Sequence, residues 1–399
     1  MEFATKAIHV GNTKDSVTGA IVPPIHFAST YVQEKAGEEG DYDYSRSGNP
    51  TRKAFERTIA SLEEAYGALA FGSGMAAIHG VLMLLNSGDH IIASSDIYGG
   101  TYRLLHKVLA RSGISTSLVD ARDPSKIEEA IRPETKMLWI ESPGNPLFSI
   151  IDISSCAKLC KKNGILLTVD GTFATPVLTQ PLKLGADFVV HSATKYIGGH
   201  SDLLGGVVAV KEKQNYDDLY YVQNATGAVM APMDCFLASR GLKTLSLRVR
   251  AQSASAQNIA TFLSTHPLVH KVFYPGLAEH PGHLLAKRQM NGGFGGVLSF
   301  EHKLGYEAAK AFVDATKIFQ TAVSLGAVES IIEHPASMSH ASYDRADRIK
   351  HGISDSLVRL SVGCEDIGDL LEDIEQAIEP IHGVSDFKSS RTTEKCSSL

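Results

Sequence analysis

Between about residues 51 and 255 the apolar positions follow two alternating patterns. Stretches with helical period, such as TRKAFERTIASLEEAYG and TYRLLHKVLARSG, are followed by short apolar runs, HIIASSD, MLWIES, ILLTVD and ADFVVHS. Runs that are apolar throughout suit strands buried on both faces, and the helices between them supply the crossovers. The pattern therefore predicts an α/β fold with a mainly parallel central sheet. Further on, LRVRAQSASAQNIATFLSTH predicts a long helix, GGVLSFE and SLVRLSVG predict strands, and DIGDLLEDIEQAIEPI predicts a last amphipathic helix. The resulting division is an irregular arm over 1–60 that packs on a neighbouring subunit, a large domain over 61–255, and a smaller C-terminal α/β domain over 256–384. The polar segment 385–399 is expected to be a disordered tail.

Composition adds little to this but excludes several classes. With 399 residues, 43% hydrophobic and 21% charged, the chain is long enough for two cores. Its formal net charge of -6 is spread along the sequence, so no footprint for nucleic acid or a membrane surface is expected. The start, MEFATKAIHVG, lacks a signal-peptide core, and no run has the apolar length of a membrane helix, which predicts a cytoplasmic protein acting on small molecules. Of five cysteines only Cys156 and Cys160 are close, on one helix face and without further soft ligands, so no metal site is expected.

In parallel sheets ligands gather at the carboxyl ends of the strands, where this chain carries Asp96, Glu141, Asp170 and His191. The segment FGSGMAA places Gly72, Ser73 and Gly74 before a helix-prone run, a setting for an anion at a helix N-terminus. Three readings stay open for this loop alone. It fits a cofactor phosphate, a structural turn, or the dinucleotide fingerprint Gly72-x-Gly74-x-x-Ala77 with Asp96 as the ribose-binding acid of an NAD-dependent oxidoreductase. The run ADFVVHSATKYIGGHSD favours the first. It delivers Lys195 to the end of an apolar strand, where desolvation makes the amine a nucleophile suited to a Schiff base, with the Ser192 and Thr194 hydroxyls beside it. Asp170, closing the apolar run ILLTVD, needs a cationic partner, and a protonated pyridine nitrogen is one.

From about residue 5 to 380 the sequence resembles the cystathionine and methionine metabolism family of pyridoxal-phosphate (PLP) enzymes. The resemblance rests on YSRSGNPTR at 44–52, FGSGMAA at 71–77, DIYGGTYR at 96–103, ESPGNP at 141–146, HSATKYIGGHSD at 191–202, RGLKTL at 240–245 and RLSVG at 359–363. It implies the PLP-dependent transferase fold of type I (aspartate-aminotransferase-like), with Lys195 carrying the cofactor and Asp170 pairing with its ring nitrogen. It further implies a phosphate held by the backbone of Gly74 and Met75 and by Ser192 and Thr194, with Tyr44 and Arg46 reaching over from a neighbouring subunit of a homotetramer. Tyr98 resembles the family tyrosine that stacks on the ring and moves protons. Arg359, assisted by Asn145 and the backbone at Ser324, resembles the anchor of a substrate α-carboxylate.

Two positions depart from the family pattern. Gly171 stands where the family usually has Asn after the cofactor aspartate, which is expected to loosen the setting of Asp170. Val323, in AVSLGAVES, stands where cystathionine γ-lyases resemble AESLGG, and makes that end of the pocket apolar. Sulfur amino acids are the expected substrates and carbon–sulfur cleavage the expected reaction, with cystathionine γ-lyase first. Cystathionine β-lyase, methionine γ-lyase and γ-synthase or sulfhydrylase chemistry are the alternatives. Gly100 stands where methionine γ-lyase has a cysteine.

Overall fold

The computed structural model describes residues 1–378 apart from 39, 340, 342, 343 and 351, and the expected tail at 385–399 lies outside the described residues. The apolar runs form a seven-stranded sheet: β1 (Gly67–Phe71), β2 (His90–Ser94), β3 (Ser115–Val119), β4 (Thr135–Glu141), β5 (Leu166–Asp170), β6 (Phe188–Ser192) and β7 (Gly206–Val210). Its spatial order is β1-β7-β6-β5-β4-β2-β3. The neighbours from β6 through to β3 are parallel, whereas β7 is antiparallel to both β6 and β1. Thus the strand that enters the glycine loop is an edge strand that points the same way as β6, with the reversed strand β7 between them.

Helices cover both faces, and the side-chain alternation of each strand divides two cores between them. On one face Leu138, Ile140, Leu167, Val169, Val189 and Val207 pack with Phe55, Ile59 and Leu62. These last three belong to α2 (Pro50–Glu63), which follows the short α1 (Phe3–His9). On the other face Met137, Trp139, Leu166, Phe188, Val190 and Val208 pack with Ala77, Ile78 and Val81 of α3 (Gly74–Leu82). Helix α2 begins sharply because the Asn49 side chain accepts from the N–H groups of Thr51 and Arg52 and Pro50 fills its first turn. It therefore runs through the expected arm boundary at residue 60.

A second, five-stranded sheet has the order β10-β11-β12-β9-β8. Its strands are β8 (Val269–Phe273), β9 (Val297–His302), β10 (Gln320–Thr321), β11 (Ile331–Glu333) and β12 (Leu357–Ser361). The long helix Leu245–Thr265 buries Ile259, Ala260 and Leu263 against this sheet, and the helix Ile367–Ile378 buries Leu370 and Ile374 in the same core. No helix among the described residues is long and apolar enough to cross a membrane.

The loop between β10 and β11 ties the second sheet to the first. Gly326, at φ +79°, lies so close to Tyr196 that a Cβ there would stand 2.8 Å from its backbone nitrogen. Val328 N–H donates to the Gly199 carbonyl at 2.9 Å. Both tie points lie just after Lys195, one at Tyr196 within its turn and one at Gly199 beyond it.

Candidate active site

Three neighbouring strands of the first sheet end in polar residues on the face that packs against α3. Glu141 of β4 and Asp170 of β5 are register partners, and Ser192 closes β6. Asp170 is 7% exposed and its Oδ1 accepts from Thr172 N–H at 3.0 Å. Burial pushes its carboxyl up, while the Thr172 hydrogen bonds and the nearby His191 pull it down. It makes no ion pair among the described residues. Glu141 is held well above the usual carboxylate range, first by burial and then by Asp170 beside it. Its Oε2 accepts from the Tyr98 backbone N–H at 2.8 Å, which fixes the loop after β2 above the strand ends.

The glycine loop lies against the same ends. Ser73 caps α3 by accepting from Ala76 N–H, and Gly74 opens the helix. A Cβ on Gly74 would come within 3.0 Å of the Ser192 Cβ and Oγ, so glycine lets the helix N-terminus close on that hydroxyl. The Ser192 N–H is itself held by Thr172 Oγ1 at 2.9 Å. The Thr194 hydroxyl accepts from Gly205 N–H at 3.0 Å and stands 3.3 Å from its carbonyl. A Cβ on Gly100 would stand 2.3 Å from Tyr98 Cε1 and 2.6 Å from Met75 Sδ, which places the Tyr98 ring beside Met75 and the N-terminus of α3. Tyr98 remains 45% exposed.

Lys195 sits in a tight turn, Ala193–Ile197, at φ −88° and ψ −130°, out of helical geometry. Its Nζ donates to Ser324 Oγ at 2.6 Å. Burial, then the Arg359 charge, lowers the amine to about 8, with Glu333 opposing. Ser324 is a non-glycine residue at φ +102°, a conformation that costs about 1–3 kcal/mol and persists because Ala322 N–H is held by the Ile332 carbonyl on one side and Gly326 N–H by Ser361 Oγ on the other. Its carbonyl accepts from Arg359 Nη2 at 2.7 Å. Arg359 Nη1 donates to Asn145 Oδ1 at 3.0 Å and pairs with Glu333 Oε1 at 3.1 Å. Arg359 Nε has no protein partner among the described residues.

The residues singled out in the sequence thus fall into one group and two outliers. Lys195, Ser324, Arg359 and Asn145 form a continuous chain of contacts. Asp170, Ser192, Gly74, Met75 and Tyr98 surround the strand ends, and Val323, beside Ser324, is 62% exposed. Tyr44 and Arg46 lie on the surface of the arm. Arg46 donates to Asn224 Oδ1 at 3.2 Å and stands 5.4 Å from the Tyr44 ring centroid. Neither bonds to a site residue of its own chain. Sequence reasoning missed Glu333, a fully buried carboxylate opposite Arg359 on β11. The available signal was an acid closing the apolar run SIIEH.

Asp96 is spoken for by Ser149, whose hydroxyl donates to its Oδ2, and burial pushes Asp96 to about 6. In addition, β1 is an edge strand separated from β2 by the four strands β7, β6, β5 and β4, which removes the dinucleotide reading. That fingerprint requires the strand entering the glycine loop to lie beside the next strand in one parallel βαβ unit, with a free acid at that next strand's end.

The glycine-lined helix end, the buried aspartate without a cationic partner and the desolvated lysine fit the phosphate, ring nitrogen and aldehyde of PLP. Known proteins agree. Residues 4–379 match the model of the Cys/Met metabolism PLP-dependent enzymes. A cystathionine γ-lyase of Bacillus subtilis is 52% identical over 96% of this chain and 100% of its own. A cystathionine β-lyase of Lactococcus lactis is 50% identical, covering 94% of this chain and 98% of its own. The solved cystathionine γ-lyase of Lactobacillus plantarum, complexed with L-serine, superposes with a TM-score of 0.92 at 46% identity, covering 94% of this chain and 98% of its own. The chain belongs to the Cys/Met metabolism family of PLP-dependent enzymes. Its mixed α/β architecture is that of its solved relatives.

Proposed function

We propose that the protein is a carbon–sulfur lyase whose main reaction is that of a cystathionine γ-lyase: cystathionine and water give cysteine, 2-oxobutyrate and ammonia. The observation that carries this reading is the shared Ser324. Its hydroxyl holds the Lys195 amine and its carbonyl orients the Arg359 guanidinium, so one residue ties together an amine and a carboxylate anchor, the two groups an α-amino acid substrate calls for. The names of the relatives support the same chemistry.

In this reading Lys195 holds the cofactor aldehyde, Asp170 faces its ring nitrogen, and Ser192, Thr194 and the backbone of Gly74 and Met75 bind its phosphate. When bound, PLP supplies the electron sink that makes the α-proton of the substrate removable. Arg359, set by Asn145 and Ser324, binds the α-carboxylate and turns the α-proton toward Lys195. With its amine lowered to about 8, Lys195 is a base near neutral pH and removes that proton. Tyr98, its backbone N–H tied to Glu141 at the strand ends, would carry protons for the β-carbon and the leaving thiol. Tyr44 and Arg46, exposed on the arm, would serve a neighbouring site of a homotetramer in this reading, and the cytoplasm is the proposed compartment.

Val323 gives the second reading its one support, since an apolar residue at the mouth also suits methionine as substrate. Gly100 opposes it, because any side chain there would displace the Tyr98 ring. Cystathionine β-lyase and γ-synthase or sulfhydrylase reactions use the same machinery and are separated by product. The test is to record the visible band of the purified protein and identify the keto acid from each sulfur amino acid. A band lost in Lys195→Ala with 2-oxobutyrate from cystathionine supports the γ-lyase. Pyruvate means the β-lyase, and preference for methionine means its γ-lyase. Absence of any band after PLP is added overturns the reading.

A further inference from the structure

Directly behind the strand end that carries Asp170, on the opposite face of the sheet, lies a buried ionisable pair that the proposed chemistry does not use. Glu63 of α2 and His191 of β6 are 0% and 1% exposed, and His191 Nε2 is 2.6 Å from Glu63 Oε1. The imidazole rests against the chain at Gly171, the residue after Asp170. A Cβ at that position would stand 2.8 Å from His191 Cε1 and 3.4 Å from Nδ1. Gly171 N–H donates to Val190 O at 2.9 Å, so backbone alone separates the ring from Asp170.

The pair is costly as a mere prop. His191 Nδ1 and Glu63 Oε2 make no hydrogen bond among the described residues, although both are buried. An apolar pair would fill that space without such a cost. What it provides is charge. A buried carboxylate 2.6 Å from an imidazole favours the charged form of the ring, and a charged ring at His191 sets a positive centre behind Asp170. On the other side of Asp170 stands Glu141, whose own carboxyl is pushed well up by burial and then by Asp170.

We propose that Glu63 and His191 are positioning residues: they hold a positive charge behind Asp170 and keep it an acceptor for a protonated ring nitrogen. The side chain missing at Gly171 is what lets the imidazole lie that close. On this account the departure at Gly171 does not by itself loosen Asp170, as the sequence suggested; it gives Asp170 electrostatic support from behind the sheet. The proposal rests on Asp170 facing the cofactor nitrogen.

The test uses the full-length holoenzyme loaded with PLP labelled with 15N in the ring, in wild type, Glu63→Gln and His191→Gln, with thermal midpoints recorded. In the wild type the ring resonance is expected at the protonated position. Glu63→Gln is isosteric, and its resonance is expected to move toward unprotonated pyridine, with PLP affinity about tenfold weaker. His191→Gln is expected to do the same and serves alone should Glu63→Gln not fold. A resonance unchanged in the folded variants, whatever happens to their stability, overturns the proposal. A wild-type ring that is unprotonated or unbound overturns the reading of Asp170 itself.

Discussion

Glu333 and Arg359 face each other across β11 and β12 as register partners, and their side chains are 3.1 Å apart and almost wholly buried. The pair leaves the guanidinium fixed between Glu333, Asn145 and Ser324, with Nε unbonded. A lysine in this place would carry the charge without the planar fork. Arg359→Lys is expected to raise KM for amino-acid substrates roughly ten- to hundredfold, the worth of one charged hydrogen bond at about 1.5–3 kcal/mol. The kcat should stay within a few-fold, and steady-state kinetics separate the two.

Lys195 sets a pH dependence that can be read before any turnover. Its amine, lowered to about 8 by burial and the Arg359 charge, is protonated and unreactive below that pH and free above it. The rate at which apoprotein captures PLP should therefore rise with pH and reach half its maximum near pH 8. In Lys195→Ala the lysine-dependent visible band should be missing at every pH.

Asp170→Asn keeps an oxygen to accept from Thr172 but removes the charge. Loss of one member of a buried charged pair costs about 3–5 kcal/mol. The expected outcome is a folded protein with kcat/KM lowered at least about a hundredfold, partly recovered in Asp170→Glu.

At Gly171 the space behind the strand is already taken by His191 and Val189. Gly171→Ala should lower stability by about 1–3 kcal/mol, as overpacking does. The loss should shrink when combined with His191→Ala, a coupling that thermal or urea unfolding of the four proteins would measure.

Val323 is 62% exposed, which limits what a charge there can do. Val323→Glu offers a partner to the distal amino group of cystathionine, but an exposed ion pair is worth about 0.2–1 kcal/mol. KM for cystathionine should fall no more than about fivefold, with KM for methionine unchanged or higher.

The cofactor side of the site was legible because it is built at strand ends, where apolar runs stop at polar residues. ILLTVD and ADFVVHS place Asp170 and Ser192 as they stand, and FGSGMAA marks the capped start of α3. Strand direction was not legible. Nothing in GALAF or GVVAV distinguishes a parallel strand from an antiparallel one, yet β1 lies at the edge of the sheet and β7, between β1 and β6, is reversed against both. Glu333 escaped because its meaning depends on the register of β11 with β12, set by pairing rather than by spacing along the chain. The role of Ser324 depends on its positive φ, which the motif AVSLG does not announce.

The bond from Lys195 to Ser324 spans 129 residues, and that from Arg359 to Asn145 spans 214. Each joins a segment of the first sheet to a segment of the second. A refolding chain that has formed only the first sheet already owns its aspartate, glycine loop and lysine, but it lacks the loop that holds the lysine amine and the arginine proposed to receive a carboxylate. Capture of the aldehyde can then precede docking of the second sheet, whereas binding of an amino acid must wait for it. The two events are separate optical clocks for the assembly of a single molecule.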